Sequence, residues 1–330
     1  MLPQDTLLDV QVHTVSLAAA DVHAFELRHL CNQELPAFDA GAHIALQLPG
    51  GLLRHYSLLN APGERLRYLI AVHRDPASRG GSMYLHETLR VGDRLKIGAP
   101  RNNFQLDEGQ HRTVLVAGGI GITPLLAMIE RLEQLGREWI LHYAARTRRH
   151  AAFLDTLQRW EARGPGRVHV HFDDEQQGHL LDLDGAVRTG GRDAHFYCCG
   201  PSPMLAAFER ATDALPPHQV HVEYFKAKVV APSQNGSPRP EAASFTVELR
   251  RSGMTLDVPA GRSILDMALA AGADVPYSCG EGFCGTCAAR VIEGAPDHCD
   301  SVLDAADRQK GDVMMICCSR SLGAHLVLDL

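Results

Sequence analysis

Three cysteines stand within nine positions of the segment "SCGEGFCGTC": Cys279, Cys284 and Cys287, with four and then two residues between them. A fourth, Cys317, follows 29 intervening residues later in "MMICCSR". Thiolates so spaced can converge on one small soft object, and C-x4-C-x2-C…C is the arrangement of a plant-type [2Fe–2S] cluster. The intervening Gly280, Gly282 and Gly285 can take positive φ and turn backbone N–H groups toward the cluster sulfurs, where such donors raise the potential. A zinc site more often presents two C-x2-C pairs with fewer glycines. A redox disulfide at "CGTC" leaves Cys279 unexplained. Cys318 and Cys299 compete with Cys317 for the fourth place, and Cys31 reads as a small buried hydrophobe.

A second group of residues suits a dinucleotide. In "VLVAGGIGITPLLAM", Gly118, Gly119 and Gly121 fall between a strand and a helix, with Thr123 and Pro124 opening the helix. Glycines there let backbone approach a pyrophosphate, and the helix start offers N–H groups and partial positive charge. The spacing is not G-x-G-x-x-G, so a purely structural turn competes. "YCCGPSPML" strengthens the first reading: Cys199, Gly200 and Pro201 close a later strand and open another helix, placing both turns on the ligand edge of one sheet. Arg146, ending the intervening strand, can pair with a phosphate. Asp173, ending "VHVHFD", can accept from ribose hydroxyls, which favours NADH, or serve as a cap or loop charge; the nearby Arg148 and Arg149 keep NADPH in play.

The third group is weaker taken alone. "RHYSLLN" places Arg54 and Tyr56 on one face of a strand and Ser57 on the other, unless the strand ends there. Tyr56 is by default a barrel aromatic. In "RGGSMYLHE", Gly80, Gly81 and Ser82 at a helix start form a phosphate cradle, with Arg79 adding positive charge.

These groups need three different scaffolds. Residues 1–108 read as closely spaced alternating strands, from "LLDVQVHTV" to "RLRYLIAVH", which suggests a small antiparallel β-barrel with one helix at "GGSMYLHETL". Residues 109–228 alternate strands and helices, so an α/β doubly wound parallel sheet is expected. The Pro/Ser/Asn/Gly-rich stretch at 229–242 reads as a linker. Residues 243–330 form a compact α+β unit whose helix "SILDMALAAG" opens on a shortened capping box, Ser263 with Asp266.

Length and composition agree. A chain of 330 residues exceeds one ordinary core. No apolar run approaches a bilayer span, and the start lacks a secretory pattern. Nine unevenly spread cysteines favour a reducing, cytoplasmic setting. Net charge is −7, which disfavours nucleic acid. Residues 243–330 hold 7 basic and 12 acidic side chains, serving either solubility or a basic docking partner.

RxYS with GGS, GGIGITP with CGP, and the four cysteines stand in fixed order along the whole chain. This order resembles the phthalate dioxygenase reductase family, which serves Rieske oxygenase systems, demethylases among them. Over the first two domains it is similar to the wider ferredoxin–NADP reductase superfamily. The resemblance implies FMN in the barrel, NADH in the second domain and the cluster in a β-grasp ferredoxin domain. It implies that Arg54, Tyr56 and Ser57 line the isoalloxazine, while Arg79, Gly80, Gly81 and Ser82 hold its phosphate. Cys199 would stand beside the nicotinamide, Thr123 near the pyrophosphate and Phe225 against the flavin. The implied partner is a terminal Rieske oxygenase component. A plain flavin reductase leaves the cluster loop without a role, and no globin-length helical region is present to carry haem.

Overall fold

The computed structural model describes residues 7–49, 52–76, 78, 80–109, 111–162, 166–225, 244–273, 275–277, 280, 282, 285–300, 302–303 and 305–330. Arg79, Cys279, Cys284 and the expected linker lie outside them. The chain divides into two compact units, Met1–Glu223 and Tyr224–Leu330.

The first unit begins with β1 (Leu8–Ala19), β2 (Val22–His29), β3 (His43–Leu48), β4 (Leu52–Ser57), β5 (Tyr68–His73), helix α1 (Gly81–Glu87) and β6 (Arg94–Ile97). The six strands pair antiparallel in the order β4-β3-β6-β1-β2-β5. Leu59, just past β4, donates to Leu69 in β5 at 3.0 Å and draws the sheet's two ends together. Alternation fills the interior: Val10 and Val12, Phe25 and Leu27, Ile44 and Leu46, and Leu95 and Ile97 are all core. β6 is an addition to the sequence reading. Its four residues alternate Arg94 and Lys96 outward with Leu95 and Ile97 inward, too short a pattern to stand out. Cys31 corrects an expectation: it is exposed in the turn after β2, where Asn32 takes φ 52°, rather than buried.

The same unit continues with β7 (Thr113–Gly118), α2 (Ile122–Leu135), β8 (Trp139–Ala145), α3 (Leu154–Glu161), β9 (Arg167–Phe172), α4 (Leu183–Arg188), β10 (His195–Cys199), α5 (Ser202–Ala211) and β11 (Val220–Glu223). All five strands are parallel, in the order β11-β10-β7-β8-β9. β7 and β10 are buried along their whole lengths, as expected for strands covered on both faces. α2 turns Leu125, Leu126, Met128, Ile129 and Leu132 inward and stops at Gly136, whose φ of 64° lets its N–H and that of Arg137 return to Glu133 and Leu132. A small apolar cluster of Val22, Ala71 and Ala152, with Ala18, Ala19, Ala24, Leu59, Ile120 and Phe153 against it, joins barrel to parallel sheet. This shared seam is why the two expected domains form one unit.

The second unit contains β12 (Phe245–Leu249), β13 (Met254–Val258), α6 (Ile264–Ala270), β14 (Ala288–Glu293), β15 (Pro296–Asp297), α7 (Ala305–Lys310), β16 (Val313–Met315), β17 (Arg320–Ser321) and β18 (His325–Leu328). Its main sheet runs β13-β12-β18-β14-β16, with only β12 and β18 parallel. The expected capping box is present: Asp266 N–H donates to Ser263 Oγ at 3.0 Å, and Ser263 N–H to Asp266 Oδ2 at 3.1 Å. Among the described residues, no helix is long and apolar enough to cross a membrane.

Two buried histidines give the first unit a defined acid response. Burial, then the neighbouring His55 and Arg101, pushes His43 down to about 3. Burial and His169 push His142 down to about 4. Both stay neutral when folded and take a proton on unfolding once pH falls below their ordinary 6.5. The unfolded state therefore binds more protons between pH 6.5 and these values, and stability is lost as pH falls. Each site contributes a slope of up to about 1.4 kcal/mol per pH unit. Urea midpoints at successive pH values below 6.5 should fall, and His43→Gln should flatten the decline; a midpoint independent of pH contradicts this.

Candidate functional site: nucleotide edge, flavin strand and cysteine loop

At the nucleotide edge, β7 and β10 are neighbours although two strands separate them in sequence, so the winding reverses between them. The crevice beyond their carboxyl ends is where such sheets take ligands. Gly118 ends β7 and Cys199 ends β10. A Cβ on Gly121 would lie 2.1 Å from Cys199 O and 2.4 Å from Cys199 C; one on Gly118 would lie 2.6 Å from Pro201 Cδ. These two glycines are therefore required by turn-against-turn packing, whereas Gly119, at φ 54°, has open space where a Cβ would stand. The two turns bring together the N-termini of α2 and α5, neither with a side-chain cap. Two helix starts without side-chain caps thus lie beside each other at this edge, an arrangement that suits a pyrophosphate.

The flanking residues are placed as follows. Pro124 is buried in the first turn of α2. Thr123 is 2% exposed and its hydroxyl donates to Ile120 O at 3.0 Å, so it holds the turn closed. Cys199 is fully buried and burial, then Glu223, raises its thiol well above the ordinary value. It stays a neutral thiol. Arg146 is exposed immediately after β8. Asp173 follows β9, its carboxylate 3.6 Å from His171 Nε2 and its carbonyl accepting from Gly178 N–H at 2.7 Å. Arg148 lies 4.5 Å over the Phe172 ring, and the Arg149 carbonyl accepts from Ala20 of the barrel at 2.8 Å.

On the flavin strand, Arg54 and Tyr56 oppose Leu46 and Ile44, two core residues, while Ser57 opposes His43 and ends β4. Tyr56 packs on the barrel core, and burial raises its phenol. A Cβ on Gly81 would lie 2.7 Å from Arg54 Cγ and 2.8 Å from its Nε. The missing side chain thus lets the guanidinium stem lie against the start of α1, where Gly80 takes φ 88° and no side chain caps the helix. One cation and unfilled N–H groups fit a terminal phosphate. Ser82 Oγ, by contrast, is engaged within its own loop, 2.9 Å from Ser78 Oγ and accepting from Asp75 N–H at 3.2 Å.

In the second unit, β14 and β16 pair so that Ala288 opposes Met315. Ile316 N–H then donates to Cys287 O at 3.3 Å, holding the chain at Cys287 against that at Cys317. Both cysteines are buried. Gly280, Gly282 and Gly285 all have positive φ, 66°, 77° and 74°, as inward-facing N–H groups require. Cys318 Sγ instead donates to Met315 O at 3.8 Å and stands 2.5 Å from where a Gly282 Cβ would be. Cys299 Sγ donates to Asp297 O at 3.7 Å. Cys287 and Cys317 fit two ligands of a cluster; Cys279 and Cys284 fall outside the described residues. Phe225 is half-buried, two residues past the end of β11, at the beginning of the second unit.

Comparison with known proteins identifies two of the parts and the family of the whole. Residues 247–322 match the 2Fe-2S iron-sulfur cluster binding domain, and residues 115–210 the oxidoreductase NAD-binding domain. Phthalate dioxygenase reductase, solved as "a modular structure for electron transfer from pyridine nucleotides to [2Fe-2S]", superposes with a TM-score of 0.76 at 37% identity, over 99% of this chain and 98% of that one. The chain belongs to the phthalate dioxygenase reductase family. Phenoxybenzoate dioxygenase subunit beta of Ectopseudomonas oleovorans is 49% identical over 98% of this chain and 97% of its own. Tetrachlorobenzoquinone reductase of Sphingobium chlorophenolicum is 47% identical over 98% of this chain and 98% of its own. As a member of this family, the chain is an oxidoreductase with antiparallel flavin-type, parallel NAD-binding and ferredoxin parts.

Proposed function

We propose that the protein is the NADH-dependent reductase of a Rieske-type oxygenase or demethylase system, holding FMN and a [2Fe–2S] cluster and serving a terminal oxygenase. The observation that carries this is one chain joining a two-turn nucleotide edge, Gly118–Gly121 against Cys199–Pro201, to a buried Cys287–Cys317 pair. Flavins combine hydride and one-electron chemistry, and an iron–sulfur centre carries single electrons. The chain's own residues bind and orient. Arg54, with Gly80 and Gly81, would hold the flavin phosphate, and Arg79 would add charge. Cys199, a neutral thiol with no exposed surface, would stand behind the nicotinamide site rather than act as a nucleophile. Gly119 and the helix starts would take the pyrophosphate, with Arg146 and Asp173 reading phosphate and ribose. Ser57 would hydrogen-bond flavin N5, with Tyr56 and Phe225 against the ring.

The quinone-reducing relative supports a second reading, in which a quinone is the acceptor. Anaerobic stopped flow separates them. Mixing NADH with the holoprotein should bleach the flavin first, and adding a Rieske oxygenase should then yield its reduced-cluster paramagnetic signal. Ser57→Ala should slow the first phase by up to about tenfold, what one hydrogen bond of about 1.4 kcal/mol contributes, while FMN affinity changes little. No electron reaching any Rieske partner, with brisk quinone turnover, favours the second reading; an unchanged first phase removes the role given to Ser57.

A further inference from the structure

The connector between barrel and parallel sheet carries a side-chain cluster that hydride or electron transfer does not use. Asp107 and His111 lie on that connector, and His195 is the first residue of β10. His111 Nε2 stands 3.8 Å from Asp107 Oδ1, and His195 Nδ1 stands 3.9 Å from Asp107 Oδ2. The two imidazoles stack with centroids 3.8 Å apart. His111 Nε2 is buried with no hydrogen-bond partner. His221, on β11, places its Nε2 3.2 Å from His195 Nδ1. One ligand atom from each of Asp107, His111 and His195 lies within 4.8 Å of the other two.

We propose that Asp107, His111 and His195 bind one divalent transition metal ion of the zinc or copper kind. Two imidazoles with one carboxylate suit those ions and not magnesium or calcium. Bonds of about 2.0–2.2 Å at tetrahedral angles set donor atoms about 3.3–3.5 Å apart. The two carboxylate–imidazole separations must shorten by roughly half an ångström to reach those values, and the stacked rings must fan apart so that both lone pairs meet the ion. Solvent takes the fourth position; His221 Nε2, 3.2 Å from the same His195 Nδ1, must give up that contact when Nδ1 turns its lone pair to the ion. The site is remote from the chemistry: His195 and Cys199 are opposite ends of β10, four steps or about 13 Å apart. The ion would tie the connector to the sheet. The connector is already anchored beside it, since Asp107 N–H donates to Tyr197 Oη at 2.8 Å and Phe104 meets the Tyr197 ring edge-on.

The test uses tag-free, full-length, oxidised holoprotein, rinsed of loosely held metal. Titration calorimetry with zinc chloride should show one tight equivalent. Copper(II) added in its place should give a paramagnetic spectrum split by two nitrogen nuclei, readable because oxidised flavin and oxidised cluster are silent. His111→Ala should weaken zinc at least about tenfold and remove one nitrogen from the copper pattern. Asp107→Asn, at an exposed position, should weaken zinc while keeping both nitrogens. Both variants should keep NADH-driven ferricyanide reduction. Absence of a stoichiometric equivalent, or zinc binding identical in wild type and both variants, overturns the proposal and leaves the stack as packing alone.

Discussion

Cys317→Ser should leave NADH-driven flavin reduction at its wild-type rate and reduce delivery to a one-electron protein acceptor to background. Serine keeps the size of the side chain and removes the soft thiolate that iron–sulfur clusters require. The neighbouring Cys318→Ser provides the contrast. The Cys318 sulfur is turned to Met315 O, so that variant should retain the cluster, read directly by acid-labile sulfide, visible absorbance and the reduced-state paramagnetic signal. If Cys318→Ser loses the cluster and Cys317→Ser keeps it, the ligand assignment is reversed. If neither loses it, both assignments fail.

Gly121→Ala should destabilise the first unit by about 3 kcal/mol, the upper end of what overpacking costs. The added methyl has nowhere to go: it meets the Cys199 carbonyl carbon and oxygen at 2.4 and 2.1 Å, and backbone cannot rotate aside as a side chain can. Forcing the two turns apart also separates the helix starts of α2 and α5, so NADH affinity should fall at least about tenfold. Gly119→Ala is the companion variant. No neighbour stands within 4 Å of its Cβ, and its left-handed backbone should cost only about 1–2 kcal/mol. Thermal unfolding and an NADH titration read both. Equal losses in the two variants would mean that backbone conformation, rather than turn packing, dictates glycine at this edge.

Much of the architecture was legible because the signals are periodic. Alternation in β1 to β5 and the buried run "TVLVAG" in β7 follow directly from which faces must be covered. The capping box at Ser263 and Asp266 was equally local. The short β6 was not, since four residues carry little pattern. Thr123 shows a different limit: its type and place suit a phosphate, but its hydroxyl closes on Ile120. Gly118 and Gly121 were found for a ligand's sake and are required by Cys199 and Pro201, a contact between segments about eighty residues apart in sequence that only the sheet's winding creates. The Asp107, His111 and His195 group was hidden for the same reason. Asp107 and His111 are four residues apart, but His195 lies 84 residues further on and joins them only through the sheet.

The seam between barrel and parallel sheet is lined mainly by alanines, Ala18, Ala19, Ala24, Ala71 and Ala152 among them. Methyl groups are nearly the thinnest filling two backbones can have, and they have no rotamers with which to absorb a change. Evolutionary drift along this joint should therefore be confined to swaps of nearly equal bulk. A leucine there would act as a shim, prising the flavin half from the nucleotide half, and the same joint offers an engineer a dial for the gap between them.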